Sequence, residues 1–279
     1  MPRIGAHVNG GLKGGVARAR EIGAEALQIF IGSPQSWRPP NPQPKEIAGF
    51  RQGVAEHRLG PVFVHGLYLI NLGAGREEVY EKSVASLAAQ LRLADRAGAA
   101  GLIFHPGSAG SATFEEALPR VVAALERVLD GYAGAARLVL EVCAGQGQTI
   151  GDRFEELQAI LAALGNDPRL AICWDTCHLF NAGYDIATAD GLERTVAEFD
   201  RLIGLDRLIV VHANDSKSPL GSNVDRHENI GRGHIGEAAF ARMLHHLALR
   251  DLPWILEVPG YDNEGPDRPN VETLRRLAA

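Results

Sequence analysis

Nowhere does the sequence of 279 residues contain the run of about 18 consecutive apolar residues that a membrane-crossing helix needs. Its opening residues, Met1-Pro2-Arg3-Ile4-Gly5-Ala6-His7, also lack the uninterrupted apolar stretch of a secretory leader. The expectation is a soluble, cytoplasmic protein with no membrane partner. Cysteine is scarce and odd in number: Cys143, Cys173 and Cys177. Three thiols in or beside predicted strands read as reduced, small core residues and not as a disulfide framework. Cys173 and Cys177 could bind zinc, but a CxxxC without a second pair is a weak signal. No low-complexity tract or linker interrupts the chain, and the 32 glycines and 15 prolines punctuate apolar runs throughout as turn signals. Positive charge has no surplus either, with 28 Lys and Arg against 34 Asp and Glu. Taken alone, that balance argues against a nucleic-acid partner, because phosphate binding draws on Lys and Arg.

What the chain does have is apolar content, at 46%, enough to bury one large core and to predict a single domain over residues 1–279. Short, β-branched apolar runs recur near residues 3–8, 25–31, 61–65, 101–105, 137–141, 170–175, 207–212 and 254–258. Helical patterns lie between them. From Glu77 to Ala97, apolar Val79, Val84, Leu87, Leu91 and Leu93 leave charged residues between them. From Phe114 to Leu129, Thr113 is a plausible cap, Glu115 and Glu116 sit in the first turn, Gly131 gives a stop, and Pro119 falls early enough to be tolerated. Eight strands alternating with helices imply parallel pairing through crossovers, and eight such units in this length predict an α/β fold, a (β/α)8 TIM barrel. In such barrels the active site occupies the C-terminal face of the strands.

That face is where the chemistry gathers. His65, His105, Glu141, Asp175 with His178, His212, Asp225 with His227, and Glu257 each lie in or just beyond an apolar run. The steps from His65 to Asp175 are about 40, 36 and 34 residues, close to one strand-plus-helix unit. His7 and Gln28 fit the same ring, although neither is needed to complete a metal set. Glu141 and Glu257 end otherwise apolar strands, where an unpaired carboxylate would cost several kcal/mol, so each should meet a metal or a basic side chain. Asp175 and His178 could serve neighbouring ions, or Asp175 could cap the following helix with His178 exposed in its first turn. In an extended segment Asp225 and His227 point the same way, so the D-x-H pair can deliver two ligands to one metal, against the alternative of a polar surface loop. His105 before Pro106-Gly107, and His65, are by themselves as readily hydrogen-bonded structural residues as ligands. Four of the acidic residues counted above are among these candidates, so three divalent ions would cancel the formal charge of −6 and could make a cleft locally positive.

Several blocks together resemble the endonuclease IV family of apurinic/apyrimidinic endonucleases: Gly5-Ala6-His7-Val8, Tyr68-Leu69-Ile70-Asn71-Leu72, Phe104-His105-Pro106-Gly107-Ser108, Ala144-Gly145-Gln146-Gly147, Asp175-Thr176-Cys177-His178, Ala182-Gly183-Tyr184-Asp185, and His212-Ala213-Asn214-Asp215-Ser216-Lys217 through Asp225-Arg226-His227. The resemblance spans nearly the whole chain. It implies a monomeric barrel holding three zinc ions, with manganese accepted in some positions, that cleaves double-stranded DNA 5′ to an abasic site. The ends left would be a 3′-hydroxyl and a 5′-deoxyribose phosphate. It implies further that His65, His105 and Glu141 hold one ion. Glu141, Asp175, His212 and Glu257 would hold a second, and His178, Asp225 and His227 a third, with Glu141 the bridging, catalytic carboxylate. Tyr68 and Leu69 match the loop that enters the duplex beside the lesion, and Trp37-Arg38 match another DNA-contacting block. The chain departs from the pattern at Gln35, where relatives carry an inserting Arg, and at Val142 and Cys143, where they carry Asn and Thr. Two other readings stand beside this one. A sugar isomerase or epimerase on a related barrel needs one or two ions and leaves Asp225, His227 and His65 without work. A barrel that only binds damaged DNA leaves open coordination positions unused.

Overall fold

Each predicted run forms a strand in the computed structural model, which describes residues 1–279. In chain order the strands are β1 (Ile4–His7), β2 (Ala26–Ile29), β3 (Val62–His65), β4 (Gly101–Phe104), β5 (Arg137–Glu141), β6 (Leu170–Asp175), β7 (Leu208–Ala213), β8 (Asp215–Ser216), β9 (His227–Glu228) and β10 (Trp254–Leu256). Eight of them pair in parallel and close into a barrel in the order β1-β10-β7-β6-β5-β4-β3-β2, while β8 and β9 form a small antiparallel hairpin above it. The helices are α1 (Gly11–Ile22), α2 (Pro44–Glu56), α3 (Glu77–Ala97), α4 (Phe114–Leu129), α5 (Phe154–Ala163), α6 (Thr176–Ala182), α7 (Ala189–Leu202), α8 (Glu237–His245) and α9 (Arg268–Ala278). The architecture is a (β/α)8 TIM barrel.

The sequence signals act as their chemistry requires. On α3 the buried face runs Tyr80, Val84, Leu87, Leu91 and Ala94, a three- and four-residue spacing that lays one stripe against the sheet. Thr113 accepts the Glu116 amide, and the Glu116 carboxylate accepts the Thr113 amide in return, closing a capping box at the start of α4. Pro119 lies inside that helix without ending it. No helix is long and apolar enough to cross a membrane, and all three cysteines are free and buried.

Two cores result, one between sheet and helices and one inside the barrel. Leu27, Val64, Leu102, Leu138, Ile172, Val211 and Leu256 face outward into the larger cluster. Ala26, Phe63, Ile103, Val139, Ala171, Cys173, Val210 and Ile255 fill the barrel's interior as a separate plug. Strand side chains alternate, so the residue two positions beyond an inward one also faces the axis, one layer higher. Two beyond Ala26, Phe63, Ile103, Val139, Cys173, Val210 and Ile255 stand Gln28, His65, His105, Glu141, Asp175, His212 and Glu257. The plug therefore fixes the ring above it. On β1 the inward position below His7 is Gly5, where an added Cβ would lie 2.5 Å from the Ala26 carbonyl oxygen and 2.6 Å from Ile255. Only glycine fits at that narrow point.

Candidate metal centre

At the C-terminal mouth of the barrel, nine potential ligands converge in three groups whose donor atoms lie within 4.8 Å of one another: His65, His105 and Glu141; Glu141, Asp175, His212 and Glu257; and His178, Asp225 and His227. Glu141 belongs to two of them, and its two oxygens divide the work. Oε2 lies 3.2 Å from His65 Nε2 and 3.1 Å from His105 Nε2, while Oε1 lies 3.1 Å from His212 Nδ1. His212 Nδ1 is also 3.3 Å from Glu257 Oε2 and 3.9 Å from Asp175 Oδ2. In the third group Asp225 Oδ1 is 3.2 Å from both His178 Nε2 and His227 Nε2. Cys177, the weak zinc candidate of the sequence, falls near Asp175 and His227 in a fourth grouping. Its thiol is engaged elsewhere, with the Arg226 carbonyl and the Asn181 side chain.

Strand ends supply the first two groups, and a long connection supplies most of the third. His178 comes from the first turn of α6, where it is buried, not exposed as a helix-capping reading would have it. Asp175 nevertheless does cap that helix. Its Oδ1 accepts the His178 amide at 3.0 Å, while Oδ2 turns to the cluster and accepts from Asn214 Nδ2 at 2.7 Å. Asp225 and His227 arrive on the β7–α8 connection, which is tied down by Asp215. The Asp215 carboxylate accepts from the backbone amides of Ser216, Gly231 and Ile235 at 2.8–2.9 Å, and from Gly236 at 3.2 Å. Asn181 fastens the segment before Asp225 through the Val224 carbonyl, at 2.7 Å.

The far nitrogens of the imidazoles show which way their lone pairs point. Nδ1 of His65, His178 and His227 contacts the backbone carbonyls of Gly66, Val142 and Glu257 at 2.9, 3.0 and 3.3 Å. A carbonyl only accepts, so each Nδ1 carries hydrogen and each Nε2 faces the cluster, the arrangement by which outer contacts orient metal-binding histidines. Val142 thus serves through its backbone carbonyl, and that contact does not depend on its side chain. Cys143 donates weakly to the Glu141 carbonyl and lines a cavity of about 300 Å³ with His105, Gln146, Thr149, His178 and Asp225.

Two observations test whether metal suits these residues. Tetrahedral zinc with bonds near 2.0–2.1 Å separates its ligands by about 3.3 Å, and the closest contacts in each group span 3.1 to 3.3 Å. Second, His178 Nε2 and His227 Nε2 are buried with no hydrogen-bond partner, although Asp225 lies near both. Two imidazole lone pairs aimed past a hydrogen bond at a shared point suit a cation.

Charge leads to the same place. Burial alone would raise the Glu141 carboxyl, but His105, His212 and His178 hold it well below the ordinary carboxylate range. Asp225 and Glu257 are likewise held down, against burial, by His178 and His227 and by His212 and His7 respectively. Burial would lower the facing imidazoles, yet Asp175 and Asp225 drive His178 well above its usual value and lift His227 to about 9. The ring of carboxylates demands positive charge, which protons on histidine provide and which metal ions would displace.

Residues that the sequence did not single out as site members complete the ring. Gln28 and His7, recognised as fitting the ring but unneeded, touch Glu257 and His212 directly. Asn214 holds Asp175 and also accepts the Glu257 amide at 3.0 Å, and Thr176 donates to the carbonyls of His212 and Asn214. Period-two counting upward from the plug would have found His7 and Gln28. Nothing in the sequence marks Asp215 as the anchor of its connection.

Beside the ring the loops form a rim. Tyr68 is 58% exposed, its ring 5.8 Å edge-on from His65, and its amide donates to the Pro34 carbonyl at 3.1 Å, joining the loops after β2 and β3. Gln35 is exposed next to that junction, Leu69 and Trp37 are half-buried, and Arg38 is exposed beside them. A cleft of about 710 Å³ runs from Tyr68 and Phe30 past Asn9, the start of α1 at Lys13, and the loop carrying Pro40. It adjoins the ring without containing any of the nine ligands.

A barrel whose mouth holds imidazoles and carboxylates in this way belongs to a broad class, and residues 16–278 match the family described as xylose isomerase-like TIM barrels. Within that class the chain belongs to the endonuclease 4 family. It is 41% identical to a probable endonuclease 4 of Chloroflexus aurantiacus over 99% of this chain and 98% of that one. The crystal structure of endonuclease IV from Thermus thermophilus superposes with a TM-score of 0.86 at 38% identity, covering 99% of this chain and 98% of that chain. A D-tagatose 3-epimerase-like protein, at 18% identity and a TM-score of 0.70 over 99% of this chain and 95% of its own, shares the fold.

Proposed function

We propose that this protein is a zinc-dependent DNA-repair endonuclease that hydrolyses the phosphodiester bond 5′ to an abasic site in double-stranded DNA, leaving a 3′-hydroxyl and a 5′-deoxyribose phosphate. The observation that carries the reading is the sharing of Glu141 between two ligand groups with a third group beside them. An epimerase using one ion would have no use for the His178, Asp225 and His227 set. Three zinc ions, with manganese acceptable at some positions, would be held by His65, His105 and Glu141; by Glu141, Asp175, His212 and Glu257; and by His178, Asp225 and His227. When bound, such ions lower the pKa of a coordinated water toward about 7 and neutralise the oxygens of an in-line phosphoryl displacement.

The residues contribute placement. Glu141 keeps two groups at a fixed separation because its carboxylate spans them. His105, with a side chain 33% exposed, and Asp225, at 43%, are the most open members and face the cavity where a scissile phosphate would enter. Tyr68 and Leu69, with Gln35 on the loop joined to theirs, form the wedge beside an abasic nucleotide, and Trp37 and Arg38 support the same edge. An abasic nucleotide has no base to unstack, so turning it toward the ring costs less than turning an intact one. Gln35 offers a polar wedge without the cation of an arginine. The enzyme acts as a monomer in the cytoplasm.

The test is to measure zinc per chain and then incubate the protein with a duplex holding one abasic analogue, and separately with ketose sugars. Three zincs and a single cut 5′ to the analogue support the reading. One metal with sugar epimerisation, or intact duplex in the presence of bound zinc, overturns it.

A further inference from the structure

Gln28 is buried completely, on β2, at the inward position above the plug. Its amide touches two candidate ligands of the same group with opposite ends. Oε1 lies 2.9 Å from His212 Nε2, and Nε2 lies 2.6 Å from Glu257 Oε1. The two ends are not interchangeable, because an amide oxygen only accepts and an amide nitrogen only donates. A flipped amide would set its oxygen against a carboxylate and its NH2 against the imidazole. The carboxylate therefore fixes the amide, and the amide fixes the imidazole: His212 carries hydrogen on Nε2 and turns the Nδ1 lone pair to Glu141, Asp175 and Glu257. Unlike His65, His178 and His227, whose Nδ1 is taken by a backbone carbonyl, His212 meets the cluster with Nδ1 and has a side-chain amide on Nε2. His7 Nδ1 holds the same Glu257 oxygen at 2.7 Å, leaving Oε2 as the oxygen near His212.

We propose that Gln28 is a positioning residue for the central ion, setting at once the tautomer of His212 and the orientation of the Glu257 carboxylate. The inference rests on the zinc-dependent reading of the site. Gln28 Oε1 lies 2.9 Å from His212 Nε2 and both residues are fully buried, so water has no ready path to replace the amide. Contacts of this kind are typically worth about 10- to 100-fold in metal affinity. They act on the group they touch, so the other two ions should be held as before.

The experiment uses the full chain loaded with zinc, and in parallel with cobalt(II), comparing wild type, Gln28→Met and Gln90→Met. Gln90 is a buried glutamine on α3 that bonds only to Ser86, so its replacement controls for loss of a buried amide. Chelator competition should show three ions in wild type and in Gln90→Met. In Gln28→Met one of the three should be released at about 10- to 100-fold lower chelator concentration, with the cobalt visible bands altered and kcat for abasic-duplex incision falling more than KM rises. Gln28→Asn, which keeps both amide functions on a shorter stem, should recover part of the lost affinity and supplies a second variant if the methionine form does not fold. Three ions released alike in wild type and Gln28→Met, with unchanged cobalt bands, overturn the proposal. A wild-type chain that binds no set of three overturns the function beneath it instead.

Discussion

The strand-borne groups and the loop-borne group reach the same mouth by different means. Glu141, Asp175, His212 and Glu257 stand on or immediately after neighbouring barrel strands, with Asp175 paired to His212 and Glu141 to Cys173 in the ladder. Their spacing follows from the hydrogen bonds of the sheet and the plug beneath. Asp225 and His227 belong to a connection that is mostly irregular backbone, shaped by the β8–β9 hairpin and by side chains such as Asn181, Asn270 and the Asp215 carboxylate. Equal precision at the mouth thus depends on a whole barrel in one case and on a few polar side chains in the other. The loop-borne group should be the easier to detach.

The sharpest way to break that contrast is at the shared carboxylate. Glu141→Gln removes the charge between two strand-borne groups while leaving a similar volume, so incision should fall to background with the helical circular dichroism unchanged. Bound zinc should drop toward the single loop-borne ion. Near-normal cutting by this variant is incompatible with the role given to Glu141. The complementary change is Asp215→Asn, which weakens an anchor accepting four backbone amides. Hydrogen bonds to a charged group are worth about 1.5–3 kcal/mol each, and losing the charge should cost on the order of 2 kcal/mol in denaturant unfolding. Zinc analysis should find the two strand-borne ions retained and the third lost. If all three ions leave together, the two regions are not independent.

Tyr68→Ala bears on recognition alone. Aromatic stacking on nucleic acid contributes about 1–3 kcal/mol, so binding of an abasic duplex should weaken by about 5- to 150-fold, with metal content unchanged. A loss of zinc in this variant would move Tyr68 from the rim into the ring. The smallest effect concerns Glu156, on the first turn of α5, where burial pushes the carboxyl up to about 7 while the Gly151 amide donates to it. A carboxyl raised on folding favours the protonated native state, so its contribution is full below the ordinary carboxylate range and is lost as pH rises through about 7. Glu156→Gln should therefore raise the thermal midpoint at about pH 8 relative to wild type and leave it little changed at about pH 4. Parallel melting curves across that range would show that Glu156 has no part in the pH dependence.

The same division explains what is legible in the amino-acid sequence. All eight barrel strands show as apolar runs, because a parallel strand is buried on both faces. Six ligands on or immediately after those strands, His65, His105, Glu141, Asp175, His212 and Glu257, stand out because a polar residue closing such a run has few reasons to be there. His178, Asp225 and His227 need motif spacing and family resemblance, and the grouping of all nine into three sets comes from that resemblance alone. His7 and Gln28 are visible but receive no work, since the count of ligands closes without them. Asp215 escapes notice because an aspartate in a polar loop looks like any other, and the amides it collects are up to 21 residues away. Long-range backbone donors leave no trace in composition or period.

Inward alternation also limits what this scaffold could become. Eight strands offer eight seats in the layer above the plug, and here His7, Gln28, His65, His105, Glu141, Asp175, His212 and Glu257 occupy every one. No vacancy remains for a new functional side chain at that level, so a relative of this chain that altered what it acts on would have to do so by rebuilding its rim, with the inner circle inherited whole.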